Sequence, residues 1–223
     1  MSQLRAYNLS MSLDGFMAGP DQSLDDPLGV GAMRLHEWVY PTRAFRADHG
    51  LDGGTEGLDD SFVQRGTTGI GATIMGRNMF GPVRGDWGTW AEDHDGEPWT
   101  GWWGPNPPFH HPVYVLTHHP RPPLTLSGGT TFHFVYGGVE DAYAQATDAA
   151  GDLDVRLGGG ASTVRQFLAA GLVDEIHVAV VPILLGSGER LFGELGERAR
   201  DLDCVEMVAS PTVSHVRLAR QSG

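Results

Sequence analysis

The run from Asp154 to Phe192, DVRLGGGASTVRQFLAAGLVDEIHVAVVPILLGSGERLF, places three consecutive glycines between an apolar strand and an amphipathic helix. Val155 and Leu157 end the strand. Ala161-Ser162-Thr163 open the helix, whose Val164, Phe167 and Leu168 recur at helical spacing. Gly171 closes it, and the β-branched run from Glu175 to Ile183 reads as a second, buried strand. Strands joined through a helix lie parallel, so this stretch commits the chain to an α/β architecture.

The glycines also carry chemistry. At a strand end, Gly158, Gly159 and Gly160 let the backbone approach a ligand and adopt positive φ where required. The first N–H groups of the following helix lack intrahelical partners and bear partial positive charge, which suits a phosphate or pyrophosphate. Ser162 or Thr163 can cap that helix or turn a hydroxyl to the anion. The same residues also serve as a plain strand-to-helix turn, and Gly158 to Thr163 lacks the third glycine of G-x-G-x-x-G. A dinucleotide site is therefore the leading reading, on something other than an ordinary Rossmann domain.

Composition narrows the function classes. A net charge of −13 argues against nucleic acid or an anionic membrane as a partner, so an anionic cofactor must be held by helix N-termini and a few arginines. Cys204 is the single cysteine, which excludes an intrachain disulfide and fits a reducing cytoplasm. No apolar stretch approaches transmembrane length. The 223 residues contain no dividing linker and read as one domain, 1–223.

In order, the spacing predicts strands over Arg5 to Leu13, Gly71 to Met75, Val113 to Thr117, Thr131 to Tyr136 and Asp152 to Leu157. Helices are expected over Met33 to Tyr40, Asp59 to Gly66 and Val139 to Ala150, with a mobile surface loop from Asp48 to Gly57. Cys204 to Ala209 and Val213 to Ala219 alternate as an antiparallel closing pair. The expectation is a three-layer α/β domain: a mixed, mostly parallel central sheet, helices on both faces and an antiparallel C-terminal edge.

Two stretches interrupt this pattern. Residues 82–112 hold Trp87, Trp90, Trp99, Trp102 and Trp103 among glycines and prolines, a lid over an aromatic ligand or a packed excursion meeting a second subunit. His110-His111 and His118-His119 are adjacent pairs, which extended chain sends to opposite faces, so no metal site is expected. A polar cluster of Thr117, His118 and Arg121 at a strand end suits phosphate better. Arg77, directly after the strand-end Gly76, can reach a cofactor phosphate or stand solvated at a helix start.

SLDGF after the first strand, IMGRNMF after the second and GGGAST in the C-terminal third together resemble the dihydrofolate reductase superfamily. FLAAGLVDEIHVAVVPILLGSGERLF is especially similar to its riboflavin-biosynthesis branch, the RibD C-terminal type. The resemblance spans nearly the whole chain except the Trp-rich insert and the 48–57 loop. It implies a mostly parallel eight-stranded sheet, NADPH as hydride donor and a homodimer. It further implies that Gly158, Gly159, Gly160, Ala161, Ser162 and Thr163 form the pyrophosphate turn. Gly76, Arg77 and Asn78 would form the turn at the adenosine 2′-phosphate, and Thr117 and His118 would line the adenine ribose. Backbone groups of Met17 and Ala18 would read the nicotinamide carboxamide from a mobile loop.

The resemblance also implies a carboxylate on the helix before the MGR strand, and Asp60 lies fifteen residues ahead of Met75. A carboxyl in an apolar pocket pairs with an amino-pyrimidine edge and has a raised pKa, whereas Asp59-Asp60 also reads as an N-cap pair. The implied substrate is a flat polar heterocycle: a pterin, a folate or a ribosylamino-pyrimidine. Two other classes stand beside the reductase: a nucleotide-binding protein without turnover, and a histidine-based metal-dependent hydrolase.

Overall fold

The computed structural model describes residues 2–81, 84–193, 195, 197 and 201–220. The first two residues of the Trp-rich insert, 82 and 83, lie outside the described residues. Eleven strands are present among those described: β1 Leu4–Ser12, β2 Phe16–Ala18, β3 Ile70–Gly76, β4 Pro112–Leu116, β5 Leu124–Thr125 and β6 Thr131–Val135. They continue with β7 Asp154–Gly159, β8 Glu175–Val181, β9 Glu189–Arg190, β10 Leu202–Ala209 and β11 Ser214–Arg220. The helices are α1 Arg43–Asp48, α2 Leu58–Thr67, α3 Arg77–Phe80, α4 Gly88–Asp93, α5 Val139–Ala150 and α6 Ala161–Ala170.

Nine strands form one sheet in the order β10-β11-β8-β1-β7-β3-β4-β6-β5. From β8 through β6 every pairing is parallel, while β11, β10 and β5 join antiparallel. This is the mixed, mostly parallel sheet that the periodicity predicts, with its antiparallel C-terminal edge. The implied eight strands become nine through β5, which has two residues. β2 and β9 pair separately as a small ribbon.

Alternation along the strands divides the core. Ala72, Ile74, Val155, Leu157, Ile176 and Val178 pack on one face against Ala142 and Ala146 of α5 and Val164, Phe167 and Leu168 of α6. On the other face, Ala179 and Val181 meet Val63 of α2 with Leu35 and Trp38. Further along that face Met75, Val113, Val115, Phe132 and Phe134 meet Phe80, Trp87, Trp99 and Trp103. The Trp-rich insert is thus laid over β3, β4 and β6 and completes the third core cluster.

Two local expectations change. The helix predicted over Met33 to Tyr40 is a 3₁₀ turn, Ala32–His36, because Trp38 and Val39 then break away to dock inward. The 48–57 loop is exposed but tied down: the Thr55 N–H donates to Pro41 O at 2.7 Å, and the Arg46 guanidinium donates twice to Asp52 O. Asp48 itself ends α1.

A polar chain crosses the second face. Asn8, in a β1 bulge, has φ 58°, and its N–H donates to His177 Nδ1 at 3.3 Å. That donation fixes His177 as the Nε2–H tautomer, which donates to His215 Nδ1 at 3.0 Å. His215 Nε2–H in turn reaches Asp59 Oδ1 at 2.9 Å. Burial holds the His177 pKa down at about 3, so that ring is neutral, and burial also lowers His215 against the opposing pull of Asp59.

Candidate functional site

The two glycine turns meet. β7 and β3 are neighbours in register, so Gly159 lies beside Met75 and the strand ends open together. A Cβ on Gly76 would collide with Thr163 Oγ1, and the next atoms, Thr163 Cβ and Gly159 O, stand 3.4 and 3.6 Å away. Gly159 has φ +124°, which an L side chain rarely adopts, and the Gly159–Gly160 peptide is cis. Gly160 has open space where its Cβ would be, whereas Gly158 packs on Met79, with the sulfur 3.3 Å from such a Cβ. Met17 Cε comes within 4.0 Å of the corresponding position on Gly159. The fold therefore brings Met17, Gly76, Gly158, Gly159, Gly160 and Thr163 into one place and adds Met79, which the spacing did not single out.

The turn delivers the chain into α6 with Gly160 at its N-cap and no side-chain cap. The alternative that Ser162 or Thr163 caps this helix is not realised. Ser162 is exposed and accepts from Gln166 Nε2, while Thr163 is packed against Gly76. Ala161 is buried at the helix start. The first-turn N–H groups thus keep their donor capacity toward the strand-end cleft.

SLDGF and LLGSGERLF form one unit. Asp14 accepts from the Leu185 and Gly186 N–H groups at 3.1 and 2.7 Å and from Ser12 Oγ at 2.6 Å. The Ser12 bond leads in holding its carboxyl down at about 2. Phe16 and Ala18 pair with Arg190 and Glu189, and the Arg190 guanidinium lies over the Phe16 ring at 4.4 Å. Met17 and Ala18 are therefore latched to the β8–β9 connection.

At the opposite end, the insert supplies a wall. The Arg77 guanidinium stacks on the Trp87 ring at 3.9 Å, and its Nε and Nη2 are sealed from solvent with no acceptor among the described residues. Burial leads in lowering its pKa, followed by the neighbouring cation Arg84. Arg121 approaches the same ring at 5.1 Å while donating to Trp99 O at 2.7 Å. Trp87 Nε1 donates to His119 O at 2.8 Å, which ties the Thr117–Arg121 turn to the insert. Thr117 is buried, with its hydroxyl accepting from the His119 N–H, whereas His118 and Asn78 are exposed. Trp99 Nε1 donates to Phe80 O at 3.0 Å. Of the two readings of the insert, Trp87 gives it a place beside Arg77.

Asp60, the carboxylate on the helix before the MGR strand, is held by two protein donors. It is 4% exposed, and its oxygens accept from the Ala44 N–H at 2.7 Å and Gln64 Nε2 at 2.8 Å. It therefore caps α1 from α2, across sixteen residues of sequence. The histidine pairs also diverge: His110 Nδ1 meets Gly128 O and His111 Nε2 meets Thr73 Oγ1, each at 2.8 Å. Among the described residues no three His, Cys, Asp or Glu side chains converge as a metal site requires, and no helix is long and apolar enough to cross a membrane.

A largely parallel sheet with paired glycine turns at its strand ends defines an α/β protein whose cleft opens at the carboxyl ends of the strands. The chain belongs to the RibD C-terminal domain family, whose model matches residues 6–216. The Bacillus subtilis protein YyaP, itself uncharacterized, is 42% identical over 45 residues, 20% of this chain and 24% of that protein. The match thus covers about a quarter of that relative. A Shewanella sp. PV-4 protein named for riboflavin biosynthesis superposes with a TM-score of 0.59 at 22% identity, covering 100% of both chains. A pyrimidine reductase-like protein from Corynebacterium diphtheriae superposes at 0.52 and 15% identity, over 100% of this chain and 93% of that one. These likenesses establish the shared fold.

Proposed function

We propose that the chain is an NADPH-dependent reductase acting on a flat, polar heterocycle of the pterin, folate or ribosylamino-pyrimidine kind. The observation that carries this reading is the meeting of the Gly76 and Gly158–Gly160 turns beside an Arg77 guanidinium whose Nε and Nη2 lack acceptors among the described residues. Bare backbone, a helix N-terminus without a side-chain cap and a fork-shaped cation are a donor set that fits a dinucleotide carrying an extra phosphate. The names of the related proteins, for riboflavin biosynthesis and pyrimidine reduction, point to the same class.

In this reading Gly158, Gly159, Gly160, Ala161, Ser162 and Thr163 hold the pyrophosphate. Gly76, Arg77 and Asn78 hold the 2′-phosphate, with Trp87 keeping the guanidinium in place. Thr117 and His118 line the adenine ribose, and the Met17 and Ala18 backbone orients the carboxamide. Bound NADPH supplies the hydride. The protein's own share is positioning and exclusion of water, for which Met17 and Met79 provide apolar surface at the turn. Asp60 keeps α1 seated on α2. The same reading carries a homodimer, which light scattering checks.

The test is a screen of dihydrofolate, dihydropterins and amino-pyrimidine ribosides for NADPH oxidation, with deuterated NADPH to trace transfer to product. Deuterium in the product supports the reading. NADPH binding without consumption across the screen would leave a nucleotide-binding protein instead.

A further inference from the structure

Arg156 occupies the middle of the sheet, on β7 between β1 and β3. Val155 and Leu157 on either side turn into the core beneath α5 and α6, so alternation sends Arg156 to the opposite face, the one Gly158 shares. Its register partners are Arg5 and Thr73. Arg5 is engaged, with Asp154 Oδ2 at 3.0 Å and the carbonyls of Arg65 and Thr68 as acceptors. Arg156 is not. Its Nε is sealed from solvent without an acceptor, and among the described residues its guanidinium forms no hydrogen bond and no ion pair.

The surroundings are polar and partly open. The residue is densely surrounded by protein yet keeps part of its surface in contact with solvent. Thr73, 1% exposed, directs its hydroxyl to His111 Nε2 at 2.8 Å. Burial, reinforced by Arg156, holds the His111 pKa down at about 4, so the ring contributes hydrogen bonding without charge. Asp48, at the end of α1, is within electrostatic reach of Arg156 but beyond ion-pair distance, and burial raises its carboxyl. A guanidinium withdrawn from water without an acceptor is unfavourable, and a site that keeps one is matched to an oxyanion that arrives with a ligand. In a chain of net charge −13, such a local cation is how an anion is retained.

We propose that Arg156 anchors an oxyanion substituent, phosphate or carboxylate, of the substrate, with Thr73 and His111 as neighbouring hydrogen-bonding groups. Two residues of strand, roughly 6–7 Å, separate Arg156 from Gly158, so the anion lies along β7 from the glycine turn. The cofactor phosphates belong beyond the turn, at the N-terminus of α6 and at Arg77. The assignment to substrate rests on the reductase reading; the anion site itself does not.

The experiment is thermal denaturation of the full chain in inorganic phosphate and, separately, in glutarate. It compares the wild type with Arg156→Met and with Arg77→Met, the latter alone and carrying Arg156→Met or Arg156→Lys. Methionine keeps the aliphatic stem and removes the charge, so Arg156→Met should melt at or above the wild-type temperature in anion-free buffer. The wild type should gain on the order of 3 °C in about 10 mM of the recognised anion, if its Kd is about 1 mM. In the Arg77→Met background, where the arginine assigned to the cofactor phosphate cannot answer the probe, part of the gain should persist; adding Arg156→Met should abolish that part and adding Arg156→Lys should leave some of it. A response to phosphate alone names a phosphoryl group, and a response to glutarate alone names a carboxylate. The proposal is overturned if Arg156→Met is destabilised without anion, if no gain persists in Arg77→Met or adding Arg156→Met leaves it intact, or if the wild type responds to neither probe. NADPH titration of Arg156→Met reports separately on the reductase reading: unchanged affinity leaves it standing whichever way the anion test falls.

Discussion

Replacing Gly76 by alanine sets the two glycine turns against each other. The new methyl collides with Thr163 Oγ1, and Thr163 is 7% exposed and β-branched, so its hydroxyl has little freedom to rotate away. Forcing a methyl group into packed structure costs about 1–3 kcal/mol. At roughly 2–4 °C per kcal/mol for a chain of this size, a 2 kcal/mol loss lowers Tm by about 4–8 °C. The geometry also specifies the rescue. In Thr163→Ala the obstructing oxygen is gone and the nearest remaining atom is Cβ at 3.4 Å, so the double variant should recover most of the loss. Thr163→Val restores a methyl where the oxygen stood and should not rescue. Urea denaturation of the four variants gives the coupling energy, and NADPH titration should follow the same order. A neutral Gly76→Ala, or additive losses in the double variant, would refute the contact and with it the joined cofactor turn.

Three further outcomes follow from the geometry. Trp87→Ala removes the ring over Arg77 and should weaken NADPH by about 0.5–2 kcal/mol while leaving NADH nearly unchanged; an equal loss for both nucleotides contradicts the placement. His177 and His36 are held by burial at about 3 and 4, below their unfolded value near 6.5. The unfolded chain therefore takes up protons first, and stability that is full above pH 6.5 falls as pH drops toward those values, by ~2 kcal/mol per histidine at pH 5. A Tm that is flat from pH 7 to pH 5 refutes this. Asp60→Asn keeps an acceptor for the Ala44 N–H and should cost ~0.5–1.5 kcal/mol in urea denaturation while leaving the pH profile of turnover unchanged; loss of turnover at every pH would return Asp60 to proton transfer.

What the sequence disclosed and what it withheld divide along physical lines. α6, β8 and the closing pair carry strong periodicity, so their type, order and direction were legible, as was Gly171 as an αL helix stop at φ 70°. β2, β5 and β9 have two or three residues and no period to detect. Asp60 beside Asp59 read as a cap or a ligand, and it is a cap for a different helix, which only the α1–α2 contact decides. Trp87 acquires a role only once the insert folds back across β4. Arg156 is the clearest case. In DVRLGGG it reads as the solvated side of a half-buried strand, and only the position of β7 at the centre of the sheet withdraws that side from water.

The central claim is the nucleotide site, and the most direct measurement is a titration of tryptophan fluorescence with NADPH and, separately, with NADH. Trp87 lies on Arg77, so energy transfer to a bound reduced nicotinamide cofactor should report occupancy. The account predicts saturable NADPH binding, with NADH weaker by roughly tenfold or more, about 1.4 kcal/mol, and with that difference lost in Arg77→Met. No saturable binding of either nucleotide up to millimolar concentration would contradict it and reduce the glycine turns to structural corners.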